Sequence, residues 1–460
     1  MSEQDYIQRL IPTPAIPRAP LAPGLWPGVT AASANEVARL LRDNHVKFHC
    51  FFNDDQFHNH LAHHLLAAFA LGCSESLLKP AYDLHADYQR EKKESPESIN
   101  DQNWTKHLGR PKYYPGYLEF FESQILQNGM AHCLEKYVFS PEANESKVEM
   151  LARFFSGLVH PMIQFGYGAE FELPGLAAEG LAMTAVTHNV CGGIFPPSFF
   201  MEQTSGDPQL HALSVVARIL KDPELSDGRG ADPNSNAWFQ KIIRKSGERL
   251  NTYFRQWSPE GNFEAKHEEL VWLVCALYGF SGWRKDEEFK ANFFVLHLVT
   301  SSLFISSIHP LLPPKSQALL LRGFLATSLT YWVGHGRQEF TIPNFFAENI
   351  HSLSTRPHND PKPAEDVLDG ENLHQNPWFP LLQSALNHPD EHLLKIQRSF
   401  AHYASLYGMR EKGCLAQTEL TDAASIDGTL FLRLALLTGQ AKAWVREGEP
   451  SHDAEWSRRY

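Results

Sequence analysis

From Ala34 onward, apolar residues recur at spacings of three and four, the pattern of helices that bury one side. It is clearest over residues 59–71, 147–159, 175–188, 238–257, 289–308, 316–332, 391–407 and 430–445. Strand-type alternation is scarce, so the chain predicts an all-α protein. Polar stretches rich in Pro, Gly, Asn and Asp at 94–103, 222–236 and 354–375 predict loops. None reads as a long flexible linker, and no repeat of fixed period is visible. The expected architecture is one large multi-helix domain over residues 34–460, with two closely packed lobes as the alternative. Residues 1–33 carry Pro12, Pro14, Pro17, Pro20, Pro23 and Pro27 and predict an extended N-terminal arm over the surface.

Charge and composition narrow the function classes. The net charge of -12 argues against a nucleic-acid or anionic-membrane surface, because both need clustered Lys and Arg. No signal-peptide pattern and no apolar run of about 18 residues stands out, so a cytoplasmic protein without a membrane span is expected. The 6 cysteines form no C-x-x-C pair and predict inert buried thiols. Histidine is the outlier, with 23 in the chain.

Four places combine histidine with apolar surroundings. In the first, His58, His60, His63 and His64 precede the run Leu65 to Leu71. On a helix, His60 lies about 40° from His64 and about 60° from His63, so one face carries imidazoles. A solvated polar face is the ordinary alternative. In the second, Pro161 removes a backbone donor and predicts a kink at His160 inside an apolar segment, aiming the side chain into a cavity or at freed carbonyls. Third, His297 interrupts a run too apolar to face water, so it needs a buried partner. In the fourth, Asp390 is a plausible N-cap that places His392 and Lys395 three residues apart on one helix face. By contrast, His309 before Pro310 suits a helix end. Several buried histidines on different helices have one economical shared explanation, convergence on a metal.

The absences matter too. Gly228 and Gly230 lack the third glycine and the strand setting of a dinucleotide fingerprint, which argues against a bound FAD. No phosphate-binding loop, H-E-x-x-H, G-x-S-x-G or cysteine ligand pattern is present.

The chain resembles the questin oxidase-like proteins of fungal polyketide clusters. The resemblance runs through Asn59-His60 with His63-His64-Leu65-Leu66, His160-Pro161 with Gly166 to Phe171, Ala178-Glu179-Gly180-Leu181-Ala182, Leu296-His297 with Val299-Thr300-Ser301, and Asp390 to Lys395. It implies oxidative, Baeyer-Villiger-type cleavage of anthraquinone or related aromatic polyketide rings with O2, linked to NADPH. A ring-opening relative with four histidines and a carboxylated lysine around one non-haem iron implies His60, His160, His297, His392 and Lys395 as Fe(II) ligands, with no catalytic residue beyond them. His63, His64 and His188 stand in reserve. Aromatic residues near these proposed ligands, Phe57, Phe165, Tyr167 and Phe294 foremost, would line a flat apolar pocket. A desolvated lysine that loses its proton can add CO2, which gives the oxygen ligand this set requires. Two rivals remain at this point: a metal-independent NADPH-dependent oxidase of the same substrates, and a non-catalytic helical carrier of a polyketide.

Overall fold

The computed structural model describes residues 2–196, 199–200, 206–225, 236–348, 364–369, 375–451 and 455–458. Gly228, Gly230 and most of the two longer polar breaks, at 222–236 and 354–375, lie outside them. The break at 94–103 is a loop followed by turns.

The arm starts as a helix. α1 (Glu3–Leu10) is closed by a reciprocal capping box between Ser2 and Asp5, so the extended reading fails for its first third. The rest wraps the body as expected, tied by Ala15 N–H to the Phe171 carbonyl and Trp26 N–H to the Ala70 carbonyl. α2 (Ala31–Lys47) begins three residues earlier than the expected domain boundary, because Thr30 and Ser33 cap each other. α3 (Leu61–Ala70) is apolar almost all round and every residue in it is buried. α4 (Glu75–Ala86), α5 (Tyr114–Asn128), α6 (His160–Glu170) and α7 (Pro174–Val186) follow.

α6 and α7 approach so closely that a Cβ on Gly180 would stand 2.5 Å from the Phe165 nitrogen, and one on Gly168 2.5 Å from the Ala177 nitrogen. The second half holds α8 (Asn236–Phe254), α9 (Phe263–Gly282), α10 (Phe293–Ser302), α11 (Pro314–Gly334), α12 (Glu391–Tyr407) and α13 (Leu430–Lys442). Among the described residues there are isolated bridges and no strand, and the helices from both halves share one continuous core, a single domain rather than two lobes. Residues 293–311 do have the length and composition of a membrane span, contrary to the sequence expectation; 78% of that window is buried inside the protein.

Two segments depart from their periodicity. The helix expected over 147–159 is only Met150–Phe154, because Gly157, Leu158 and Val159 all take left-handed backbone conformations. Pro161 therefore does not kink a helix; it opens one, in the first turn of α6, where its missing N–H costs nothing.

The arrangement that matters is a ring of contacts: α3 packs on α12, α12 on α10, α10 on α6 and α6 back on α3. Three of these helices turn their N-terminal ends, and α10 its first turns, toward the same volume.

Candidate functional site

His60 is the residue before α3, His160 the first of α6, His392 the second of α12, and His297 lies one turn into α10. All four are buried, as is Lys395. Their orientation is set locally. His60 Nδ1 donates to the His58 carbonyl at 2.6 Å, His160 Nδ1 to the Gly157 carbonyl at 2.6 Å, and His297 Nδ1 to the Phe293 carbonyl at 2.7 Å. A carbonyl only accepts, so each Nδ1 carries the proton and each Nε2 of the neutral ring is a bare lone pair.

These lone pairs converge. The ligand nitrogens of His60, His160 and His297 all lie within 4.8 Å of one another. His60 Nε2 and His160 Nε2 are 2.9 Å apart, and with both protons on Nδ1 neither can donate to the other. His297 Nε2, His392 Nε2 and Lys395 Nζ are buried without partners. Protonating a ring does not resolve the conflict. Burial, then the charges of Lys395 and His392, hold His60 well below its ordinary pKa. Burial and neighbouring imidazoles do the same at His160, and burial, His392 and Lys395 at His297. Lys395 is lowered by burial to about 8, against opposition from Glu391 and Asp390. Buried acceptors with no donor are costly, and a cation among them removes the cost. The donor set fits a metal.

His392 is held by carboxylates instead of a carbonyl: its Nδ1 is 3.2 Å from Glu391 Oε1 and 3.4 Å from Asp390 Oδ1. Glu391 also reaches toward His60 Nδ1 at 3.9 Å.

The reserve histidines stand apart. His63 Nε2 is engaged by the Gln164 side-chain oxygen at 2.7 Å, and Gln164 in turn donates to Glu179. His64 Nδ1 pairs with His85 Nε2 at 2.7 Å, and His85 continues to the Tyr88 hydroxyl at 2.8 Å. His188 is exposed at the rim of a cavity. Behind His63, Glu179 and Glu122 both grip His45; burial opposes its charge, but the two carboxylates prevail and raise it to about 9.

A cavity of about 580 Å³ opens beside the histidines, with His58, His60 and His160 on one wall and Phe57, Phe293, Phe294, Phe239 and Tyr331 around it. Two of the four expected pocket aromatics are there, Phe57 and Phe294. Phe165 is instead packed under Gly180 of α7, and Tyr167 stacks on His63 at 5.1 Å; the turn of α6 that follows His160 faces the core. Part of the wall is backbone under strain, with the non-glycine residues Gln56 and Leu158 left-handed.

Sequence reasoning does not single out His58. It lies parallel on His160 with centroids 4.0 Å apart, its Nε2 buried without a partner, and burial pushes its pKa down to about 3. Its helical phase misleads because α3 starts only at Leu61. Glu391 is likewise missed, although it adjoins a ligand candidate.

A family model described as questin oxidase-like matches residues 57–400, a span containing every candidate ligand histidine and Lys395. The chain is 27% identical over 286 residues to "Oxidoreductase AflY" of Aspergillus parasiticus, covering 60% of this chain and 57% of that one. It is 28% identical over 295 residues to "Baeyer-Villiger monooxygenase dmxR6" of Cryptosporiopsis sp., covering 60% and 64%. With the "Questin oxidase" of Aspergillus fumigatus it is 25% identical over 420 residues, 88% of each chain. The aligned stretches thus span less than two thirds of the first two relatives' lengths and most of the third. The chain belongs to the questin oxidase-like family.

Proposed function

We propose that this protein is an oxygenase of fungal secondary metabolism that uses O2 to open a ring of an anthraquinone or related aromatic polyketide. It would hold a single non-haem Fe(II) at His60, His160, His297, His392 and a carbamylated Lys395. The observation that carries the metal is the pair of facing lone pairs, His60 Nε2 and His160 Nε2 at 2.9 Å, both protons being fixed on Nδ1 by backbone carbonyls. The names of the relatives, oxidases of questin and of Baeyer-Villiger type, support the substrate class and the reaction.

The chain's own residues have definable work. Four imidazoles and one carboxylate-like oxygen suit ferrous iron. Bound there, iron would supply the one-electron chemistry that lets O2 react with a closed-shell aromatic. Lys395 with a pKa of about 8 is substantially neutral at mildly alkaline pH, and the neutral amine adds CO2 to give a carbamate and a proton. Phe57, Phe293 and Phe294, which line the cavity together with His58 and His160, would hold a flat aromatic ring there. Burial of every ligand excludes bulk water from the ligand side.

The test is metal analysis of purified protein, followed by incubation of iron-loaded enzyme with a panel of anthraquinones under labelled O2. Stoichiometric iron, activity lost on chelation and label in a ring-opened product support the reading. Full activity of metal-free protein with NADPH would instead establish the metal-independent oxidase. Ligand binding without turnover under any condition would establish the carrier.

A further inference from the structure

Three of the four converging imidazoles take their orientation from carbonyls of their own segments, whereas His392 takes its from Asp390 and Glu391. Asp390 also caps α12, its Oδ1 accepting from the His392 backbone N–H at 2.8 Å. What fixes Asp390 comes from far along the chain. Trp456 Nε1 donates to Asp390 Oδ2 at 2.6 Å, and Lys442 Nζ lies 3.1 Å from the same oxygen. Lys442 also sits 4.7 Å from the Trp456 ring centroid, and that ring is 6.2 Å from the ring of His392.

The next residue fastens the same segment to a second ligand-bearing helix. Phe293 N–H donates to the Ser457 carbonyl at 2.7 Å and Ser457 N–H to the Ala291 carbonyl at 2.9 Å, at the start of α10, which carries His297. Arg458 then reaches the lining of the cavity. The segment therefore bridges α10 and α12, and it lies beyond the residues 57–400 that the family model matches.

We infer that residues 456–458 are a built part of the site, with Trp456 a positioning residue that acts through Asp390 to hold His392 in its binding rotamer. This rests on the proposed metal reading. A tryptophan N–H at 2.6 Å to a partly buried carboxylate is a charge-assisted bond, and it restrains Asp390 from rotating away from the helix start. Outer partners of this kind commonly govern metal affinity without touching the metal.

The experiment is competitive titration of the metal-free full chain with Co(II) against a chromophoric chelator, with the visible Co(II) spectrum as a readout of ligand geometry. Trp456→Phe keeps the aromatic body and removes the N–H. It should weaken Co(II) about tenfold and shift the spectrum, with helical circular dichroism unchanged. Ser457→Pro, which removes the bond to Ala291, should weaken it in the same direction and serves if Trp456→Phe folds poorly. In an Asp390→Asn background the Trp456→Phe effect should shrink sharply, because the one remaining side-chain oxygen serves the helix cap and the amide NH2 in the other position cannot accept from Trp456. Wild-type affinity and spectrum in both Trp456→Phe and Ser457→Pro would overturn the inference, as would an undiminished Trp456→Phe effect in the Asp390→Asn background. Failure of the wild type itself to bind Co(II) would refute the metal reading instead, so the two failures are distinguishable.

Discussion

The protonation state of the ligand set makes a quantitative prediction about metal uptake. His60, His160 and His297 are held well below their ordinary pKa by burial first and by neighbouring charge second, so near neutrality they have no protons to lose on binding. Lys395 does, because its pKa of about 8 leaves it mostly charged at neutral pH. The charged amine must react as ammonium plus bicarbonate giving carbamate, water and one proton. At constant bicarbonate, affinity should therefore rise tenfold per pH unit below about pH 8 and flatten above it. Between about pH 6.5 and 9 the gain is roughly 30-fold, from the neutral fraction at each end. An ordinary lysine, with a pKa of about 10.4, would give a slope that continues through about pH 9. The assay is Zn(II) or Co(II) competition titration of wild type and Lys395→Met at fixed bicarbonate. Lys395→Met should bind more weakly, with neither the slope nor any dependence on bicarbonate. A slope of two or more would mean that the histidines titrate in this range. Superimposable curves for the two proteins would remove Lys395 from the site.

Four further outcomes follow from particular contacts. His297→Ala should lose the bound metal and turnover while keeping wild-type helical circular dichroism, since the removed ring has only one carbonyl partner, on its own helix. Phe294→Ala should raise KM for an aromatic substrate and leave metal content unchanged by elemental analysis, because the ring lines the cavity rather than the ligand cluster. Arg398→Met should cost about 3–5 kcal/mol in chemical denaturation, because it strands the fully buried Glu170 carboxylate without its partner. Gly180→Ala should cost about 1–3 kcal/mol in the same assay, since its new methyl meets the Phe165 backbone nitrogen at 2.5 Å.

The helical class and most helices are legible because their apolar spacing is regular and local. α12 spans the same residues, 391–407, that the pattern predicts, since Asp390 caps it as a sequence-local event. The segment before α6 is not legible. Three successive left-handed residues, Gly157 to Val159, replace a helix, and two of them are not glycine, so only tertiary packing maintains them. That change turns an expected kink at His160 into a helix start. Local surroundings and a family likeness point to His60, His160, His297, His392 and Lys395, and the structure does bring them together. Which imidazole of the His60, His63 and His64 group faces inward depends on partners far away, Gln164 for His63 and His85 for His64. Phe165 and Tyr167 are misplaced for a related reason: nearness in sequence to His160 says nothing about the face of α6 they occupy.

This division explains the layout of the centre. Each Nδ1 bond that fixes a tautomer at His60, His160 and His297 reaches a carbonyl two to four residues away, so each ring is oriented within its own segment, although the carbonyl of Gly157 is itself held in place by tertiary packing. Bringing their Nε2 atoms together needs the closed circuit of α3, α12, α10 and α6, and therefore the whole core. The penalty of collecting bare lone pairs in a buried space is met only when that circuit closes. A cation that relieves the penalty binds the folded chain and not the unfolded one, so it adds to global stability in proportion to the logarithm of its excess over Kd. At about 100 times Kd that is about 2.7 kcal/mol. The same increment should be absent in His160→Ala, which removes one of the two facing nitrogens while leaving the helix circuit in place.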